Sequence, residues 1–265
     1  YHELSEWVKE ICHLAVPALI VALYYPKDQG RRGAIDVLKN IRAQEALPPL
    51  VESLVDPSWK VRKKAIEAIA EISISKYTVL GLLKGLKDKH AAVRLESVRK
   101  LGKIKNYKVL DNLFNLLNDP SWEVRKEAVE SIGRFGPDSS KILAKALDND
   151  SVIVRKISAR ILAEIGNQDA VPALMKAIKD SDINVRERAI IALGRILKKE
   201  DIIATLIYAL EDKAPLVRFA AVQVVIDITS NISNEATLHL LNKALKDPEQ
   251  IIRQRASIAI KSIVK

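Results

Sequence analysis

One short phrase recurs eight times along this chain of 265 residues: an apolar residue, an arginine, a small residue three positions on, and large apolar residues seven and ten positions on. Its plainest copies are Asp56-Pro57-Ser58-Trp59-Lys60-Val61-Arg62 and Asp119-Pro120-Ser121-Trp122-Glu123-Val124-Arg125. Looser copies carry Arg31, Arg94, Arg155, Arg186, Arg218 and Arg253, so successive steps are 31, 32, 31, 30, 31, 32 and 35 residues. A near-constant period in this range implies units that cannot bury their apolar sides alone and must stack on one another.

The columns of the repeat have physical meanings. Three positions after each arginine stand Ala34, Ala65, Ser97, Ala128, Ser158, Ala189, Ala221 and Ala256, small side chains of the kind needed where helices approach closely. Offsets of minus one, plus four, plus seven and plus ten, as in Val61, Ile66, Ile69 and Ile72, draw one apolar stripe on an α-helix. Thr78 to Leu86 and Val109 to Leu117 carry a second helical pattern, so each unit is expected to be a helical hairpin and the chain to hold about sixteen helices. Six residues before the arginine stands Asp56, Asp88, Asp119, Asp180, Asp212 or Asp247, with Asn149 and Tyr25 in the two departing units. Aspartate there is expected to cap the helix, with a following proline in the first turn, or to link to an arginine along the stack. The long last step runs through Ser230-Asn231-Ile232-Ser233-Asn234, an enlarged loop.

This pattern, Asp-x-x-x-x-Val-Arg-x-x-Ala, resembles HEAT repeats, specifically the short HEAT-like kind named after phycobilin lyases, and the resemblance spans Ala15 to Ile263. It implies an all-α, right-handed α-solenoid of about eight hairpins in a single array over residues 1–265. The units are expected near 1–43, 44–74, 75–105, 106–136, 137–166, 167–198, 199–230 and 231–265. It further implies that the helices carrying Val-Arg line a concave face. The variable columns of those helices put Trp59, Lys63, Leu95, Arg99, Trp122, Lys126, Ile153, Lys156, Ile157, Arg160, Arg188, Ile191, Leu216 and Phe219 on that face as a partner-binding surface, apolar anchors rimmed by charge. The competing reading of Trp59, Trp122, Val152 and Ile183, which share one column, is that they cover the start of the next helix and belong to packing between repeats.

With only three Phe and three Trp, the core must be built from aliphatic residues. A single cysteine, Cys12, leaves no disulfide framework and points to a reducing, cytoplasmic setting. Low Cys and Met with much Lys, Glu and Ile is a composition of the heat-adapted kind. The apolar run from Ile11 to Tyr25 is too short to span a membrane and reads as a repeat helix. The chain starts at Tyr1 rather than Met, so preceding residues are expected to be missing from it.

The net charge of +10 is concentrated in residues 56–118, where fourteen Lys or Arg stand against six Asp or Glu. That points to nucleic acid as one candidate partner, but the concave columns themselves are mixed in sign, unlike a groove that tracks phosphates. His2, His13, His90 and His239 are scattered without metal-ligand spacing, and the glycines form no phosphate loop. The single His-Glu pair, His2-Glu3, excludes the HEAT-like di-iron hydroxylases. No catalytic, cofactor or metal residues are assigned. The expected function is a non-enzymatic scaffold for a protein or peptide on the concave face, with a nucleic-acid module at 56–118 or a HEAT-like lyase or glycosylase as alternatives.

Overall fold

The computed structural model describes residues 14–229 and 235–263. The expectations for Cys12, His2, His13 and the loop at 230–234 lie outside the described residues. Among the described residues there are sixteen α-helices, joined by turns and short 3-10 segments, and no strand. They divide into two compact units that meet in the chain between Arg134 and Phe135.

In the first unit the helices are α1 (Val16–Ala22), α2 (Asp28–Asn40), α3 (Leu47–Glu52), α4 (Trp59–Ile72), α5 (Lys76–Gly85), α6 (Ala91–Ile104), α7 (Leu110–Asn115) and α8 (Trp122–Gly133). The second unit has α9 (Ser140–Ala146), α10 (Val152–Ile165), α11 (Val171–Ala177), α12 (Ile183–Ile196), α13 (Lys199–Ala209), α14 (Pro215–Thr229), α15 (Glu235–Ala244) and α16 (Gln250–Ile263). Within each unit the even-numbered helices, which carry Val-Arg, pack side by side as one layer, and the odd-numbered helices cover one side of it. This is the layered hairpin stack of an α-solenoid. The even-numbered helices lie against one another more intimately than the odd-numbered ones do, because their shared column is small. Ala65, Ser97 and Ala128 are completely buried in the first unit, and Ser158, Ala189 and Ala221 in the second.

The core lies between the layers and follows the apolar stripe. Val61, Ile66 and Ile69 of α4 are 0–1% exposed and meet a layer that contributes Leu50 and Leu82, both fully buried. Each such aliphatic side chain removed from water supplies about 2 kcal/mol toward folding. In the second unit Val154, Leu162, Val185, Leu193, Val222 and Val225 fill the equivalent positions, all fully buried.

The aspartate column is placed differently from its expected role as helix cap. Helix α4 begins at Trp59 with Ser58 as its N-cap residue, so Asp56 lies two residues before the cap. Its Oδ1 accepts the Ser58 N–H at 2.8 Å, which closes the turn leading into the helix. Asp119 does the same for Ser121 at 2.9 Å and Asp180 for Asp182 at 2.9 Å. Pro57 and Pro120 therefore precede their helices. Proline enters a first helical turn in α1, α3 and α11 of the other layer and, among the Val-Arg helices, as the first residue of α14, where a missing N–H leaves no bond unmade.

At the opposite end of the Val-Arg helices, eleven residues past the arginine, four repeats turn through a left-handed residue. Gly136 and Gly166 fill this position at φ +66° and +70°, whereas Arg42 and Lys105 fill it at +52° and +53°. For a residue with a Cβ this backbone conformation costs about 1–2 kcal/mol.

Candidate partner-binding face

The Val-Arg arginines do not reach the open face of their layer. Each is drawn to the edge where an odd-numbered helix turns into the next even-numbered one. Arg62 donates from Nε and Nη2 to the two carboxylate oxygens of Asp88, at 2.6 and 2.8 Å, and from Nη1 to the carbonyls of Asp56 and Pro57, at 2.7 and 3.2 Å. The bidentate pair recurs as Arg31–Asp56 and Arg94–Asp119 in the first unit and as Arg155–Asp180, Arg186–Asp212 and Arg218–Asp247 in the second, every Nε–Oδ2 distance being 2.7–2.8 Å. The constant residues of the repeat are thereby consumed in holding one hairpin to the next. Burial pushes the Asp88 carboxyl up, but hydrogen bonds from Arg62 and the His90 amide, with the Arg62 charge, outweigh it and hold the group below the ordinary aspartate range. Asp180, Asp212 and Asp247 are held low by the same balance, with Arg155, Arg186 and Arg218 as their respective partners.

The open faces of the two units have different chemistry. In the first unit charge is neutralised in place: Lys64 donates to Asp36 at 2.8 Å, Lys100 to Glu71 at 2.7 Å and Arg99 to Glu127 at 3.3 Å, each pair spanning neighbouring even-numbered helices. Lys63 lies 3.6 Å from Glu67. Trp59 is half-buried and stacks on His90, ring centroids 4.1 Å apart and 5° from parallel, so its ring covers the start of α6. Leu95 is half-buried, Lys126 is exposed, and Trp122 is 52% exposed.

In the second unit the open face is apolar. Leu216 is 44% exposed, Val152 39% and Ile183 42%, and Ile153, Ile191 and Phe219 on the same three helices are half-buried. Lys156 is half-buried and makes no ion pair with a described residue. Arg160 pairs with Glu164 at 2.7 Å, and Arg188 lies 3.1 Å from Glu187. Burial pushes the Glu187 carboxyl up, with the Arg188 charge opposing it.

Ile157 departs from its expected place on the solvent-facing surface, because it is buried at 7% exposure. Its column, two residues past the arginine, runs along the seam between adjacent even-numbered helices, where Glu96 is likewise buried. The last helix supplies two residues absent from the expected set, Ile251 and Ile258, 62% and 65% exposed. The signal for Ile258 was present in the sequence, since it stands five past Arg253 as Ile191 stands five past Arg186. Among the described residues no cluster of His, Cys, Asp or Glu is arranged to hold a metal ion, and no helix is long and apolar enough to cross a membrane.

The chain matches the HEAT-repeat family over residues 16–77, 79–158, 140–200 and 185–261. It belongs to that family. Two curated relatives carry the likeness to the phycobilin-lyase kind of HEAT repeat. Phycocyanin operon protein Y of Pseudanabaena tenuis is 26% identical over 169 residues, covering 61% of this chain and 40% of the relative. Bilin biosynthesis protein MpeU of a Synechococcus species is 28% identical over 178 residues, covering 54% of this chain and 59% of the relative. This HEAT-repeat chain thus spans about half the length of the curated relatives it matches. A solved structure in which Kap95p binds RanGDP contains a chain of the same fold, with a TM-score of 0.69 at 13% identity over 97% of this chain and 41% of that one.

Proposed function

We propose that this HEAT-repeat chain is a non-enzymatic scaffold that holds a protein partner on the open face of its second unit. The supporting observation is the row Val152, Ile183, Leu216 and Ile251, one exposed apolar residue on each of four even-numbered helices. At Leu216 and Ile251, two residues before their arginines, nothing in the stacking of the repeats requires an apolar side chain, since Lys60 and Glu123 hold that position in the first unit; Val152 and Ile183 stand three before, where the first unit has Trp59, Ala91 and Trp122. Exposed apolar rows of this kind are costly unless something covers them. Lys156, which makes no ion pair with a described residue, stands about one helical turn past Val152 on α10 and suits a partner helix with an apolar stripe and acidic margins.

The test is affinity for a partner captured and then purified. Phe219→Glu and Leu216→Glu each place a carboxylate in the centre of the face and are expected to weaken binding roughly thirtyfold, the equivalent of losing a hot spot of about 2 kcal/mol. Leu80→Glu, on the odd-numbered layer, is the control. If both face substitutions leave the dissociation constant unchanged, the partner sits elsewhere.

A second reading is favoured by the relative named for bilin biosynthesis. An open-chain tetrapyrrole is flat, apolar and carries carboxylates, and the same face presents aliphatic side chains beside Lys156 and Arg188. Titration with free biliverdin separates the two readings. A red-shifted absorbance abolished by Phe219→Glu supports the bilin reading, and an unchanged spectrum supports the protein scaffold.

A further inference from the structure

The excess positive charge of residues 56–118 is not spent on the partner face. Of the six acids in that segment, Asp56, Glu67, Glu71, Asp88 and Glu96 are held in ion pairs, and Asp111 is the sixth. These pairs use Arg31, Arg62, Lys63, Lys64, Arg99 and Lys100. The segment's excess therefore resides on lysines that are exposed and make no ion pair with a described residue. Four of them, Lys76, Lys103, Lys105 and Lys108, gather at one edge of the first unit, where α6 ends and α5 and α7 begin. Arg42 stands one repeat pair earlier on the same edge, in the same register as Lys105. Glu45, Glu71 and Asp111 are the exposed acids nearby in the chain, and Glu71 is held by Lys100 with the Lys103 charge also acting on it.

Two further features set this edge apart from an ordinary solvated surface. Tyr77 and Tyr107 are 43% and 55% exposed in successive repeats, Tyr77 in the position of Lys108 and Tyr107 in that of Lys76, and Lys76 Nζ lies 5.4 Å from the centre of the Tyr77 ring. Cation and aromatic face therefore alternate along the edge. Arg42 and Lys105 also occupy the left-handed turn position that glycine fills at 136 and 166, so the cations stand where the backbone alone would favour a residue without a side chain.

We propose that this edge binds single-stranded nucleic acid through its phosphates, without reading sequence. Lysine is a point charge with no directional fork and suits phosphates whose positions vary. It is depleted from protein interfaces, which makes a lysine row a poor protein-docking surface. Exposed tyrosine rings offer bases a stacking platform that tolerates any sequence. The surface is separate from the apolar face of the second unit, and its test is independent of that reading.

The experiment is fluorescence anisotropy with a labelled oligothymidylate of about thirty nucleotides, titrated with the whole chain across a range of salt. Engagement of four or five phosphates gives a log–log salt slope of roughly −3, so affinity falls roughly sixtyfold between 50 and 200 mM salt. Lys76→Gln, Lys105→Gln and Lys108→Gln together are expected to flatten the slope by about two. Tyr107→Ala is expected to weaken binding roughly tenfold at fixed salt with the slope intact. Lys105→Gly removes one charge while easing the turn, so its loss of binding cannot be ascribed to unfolding. Lys141→Gln with Lys145→Gln, in the second unit, is expected to behave as the parent chain. The proposal is overturned if the parent shows no salt-dependent binding, if the triple variant keeps the parent's slope, or if vesicles rich in anionic phospholipid are bound while the oligonucleotide is not.

Discussion

Replacing Arg62 with alanine is expected to destabilise the first unit by about 3 kcal/mol, although the substitution removes no apolar core residue. The Arg62 and Asp88 side chains are only 5% and 8% exposed. One guanidinium satisfies the carboxylate of the following repeat and the carbonyls of Asp56 and Pro57 at once. Alanine leaves Asp88 charged and without its bidentate partner, which is far worse than removing both members of the pair. Arg62→Ala combined with Asp88→Ala is therefore expected to be more stable than Arg62→Ala alone, a coupling that a double-mutant cycle in urea will read. Lysine is not a conservative replacement here, because one ammonium cannot reproduce the planar fork. Lys176 and Asp148 approach to 2.6 Å with side chains 72% and 61% exposed, and Lys176→Ala is expected to change stability little, since solvent screens that pair. A loss below about 1 kcal/mol for Arg62→Ala would show that stacking does not depend on the ladder.

The same ladder sets the response to acid. Asp88, Asp180, Asp212 and Asp247 have carboxyls held below their ordinary value in the folded chain. The folded state therefore binds fewer protons than the unfolded state as pH falls through the aspartate range. Their contribution is fully present above the unfolded value of about 3.9 and is lost as pH falls through the lower folded values. The helical circular-dichroism melting temperature should hold its level with respect to these groups down to about pH 5 and drop below about pH 4. A melting temperature that stays level to about pH 2 would contradict the ladder's role.

How much of this was legible in the sequence depends on what each residue type does. The repeat period and its small and apolar columns specify the stack because burial of Ala65, Ile66 and Ile69 leaves little freedom in where α4 can lie. The Asp-to-Arg link was legible as one of two uses for Asp56, whereas its place two residues before the N-cap was not, since that depends on where the first helical turn closes. The partner face was less legible. Ile157 and Ile153 look alike in sequence, yet one faces a neighbouring helix and the other is half-exposed, a difference of rotation about the helix axis that a column count does not resolve. The net charge was legible as a sum but not as a distribution. Only the pairing of Lys63, Lys64, Arg99 and Lys100 with nearby acids distinguishes the spent lysines from those left at the edge.

Closest approach between helices, rather than turn geometry, decides the fate of Gly194. A Cβ built there would lie 2.4 Å from Val224 Cγ1, 2.9 Å from Cγ2 and 3.2 Å from Cβ, with Gly194 on α12 and Val224 on α14. Val224 is 4% exposed, and a branched side chain in a helix has one strongly preferred rotamer, so it cannot swing aside. Gly194→Ala must push the two helices apart, an overpacking cost of up to about 3 kcal/mol. Better helix propensity returns about 1 kcal/mol, so the second unit is expected to lose about 2 kcal/mol. Val224→Ala alone also destabilises, by opening a cavity. In that background the new methyl group has room, and Gly194→Ala should become neutral or stabilising. The reversal of sign, measured by urea denaturation of all four chains, identifies steric contact between α12 and α14 as the cause. If Gly194→Ala costs the same in the Val224→Ala background as in the parent chain, the glycine serves the backbone of α12 and not the packing of the layer.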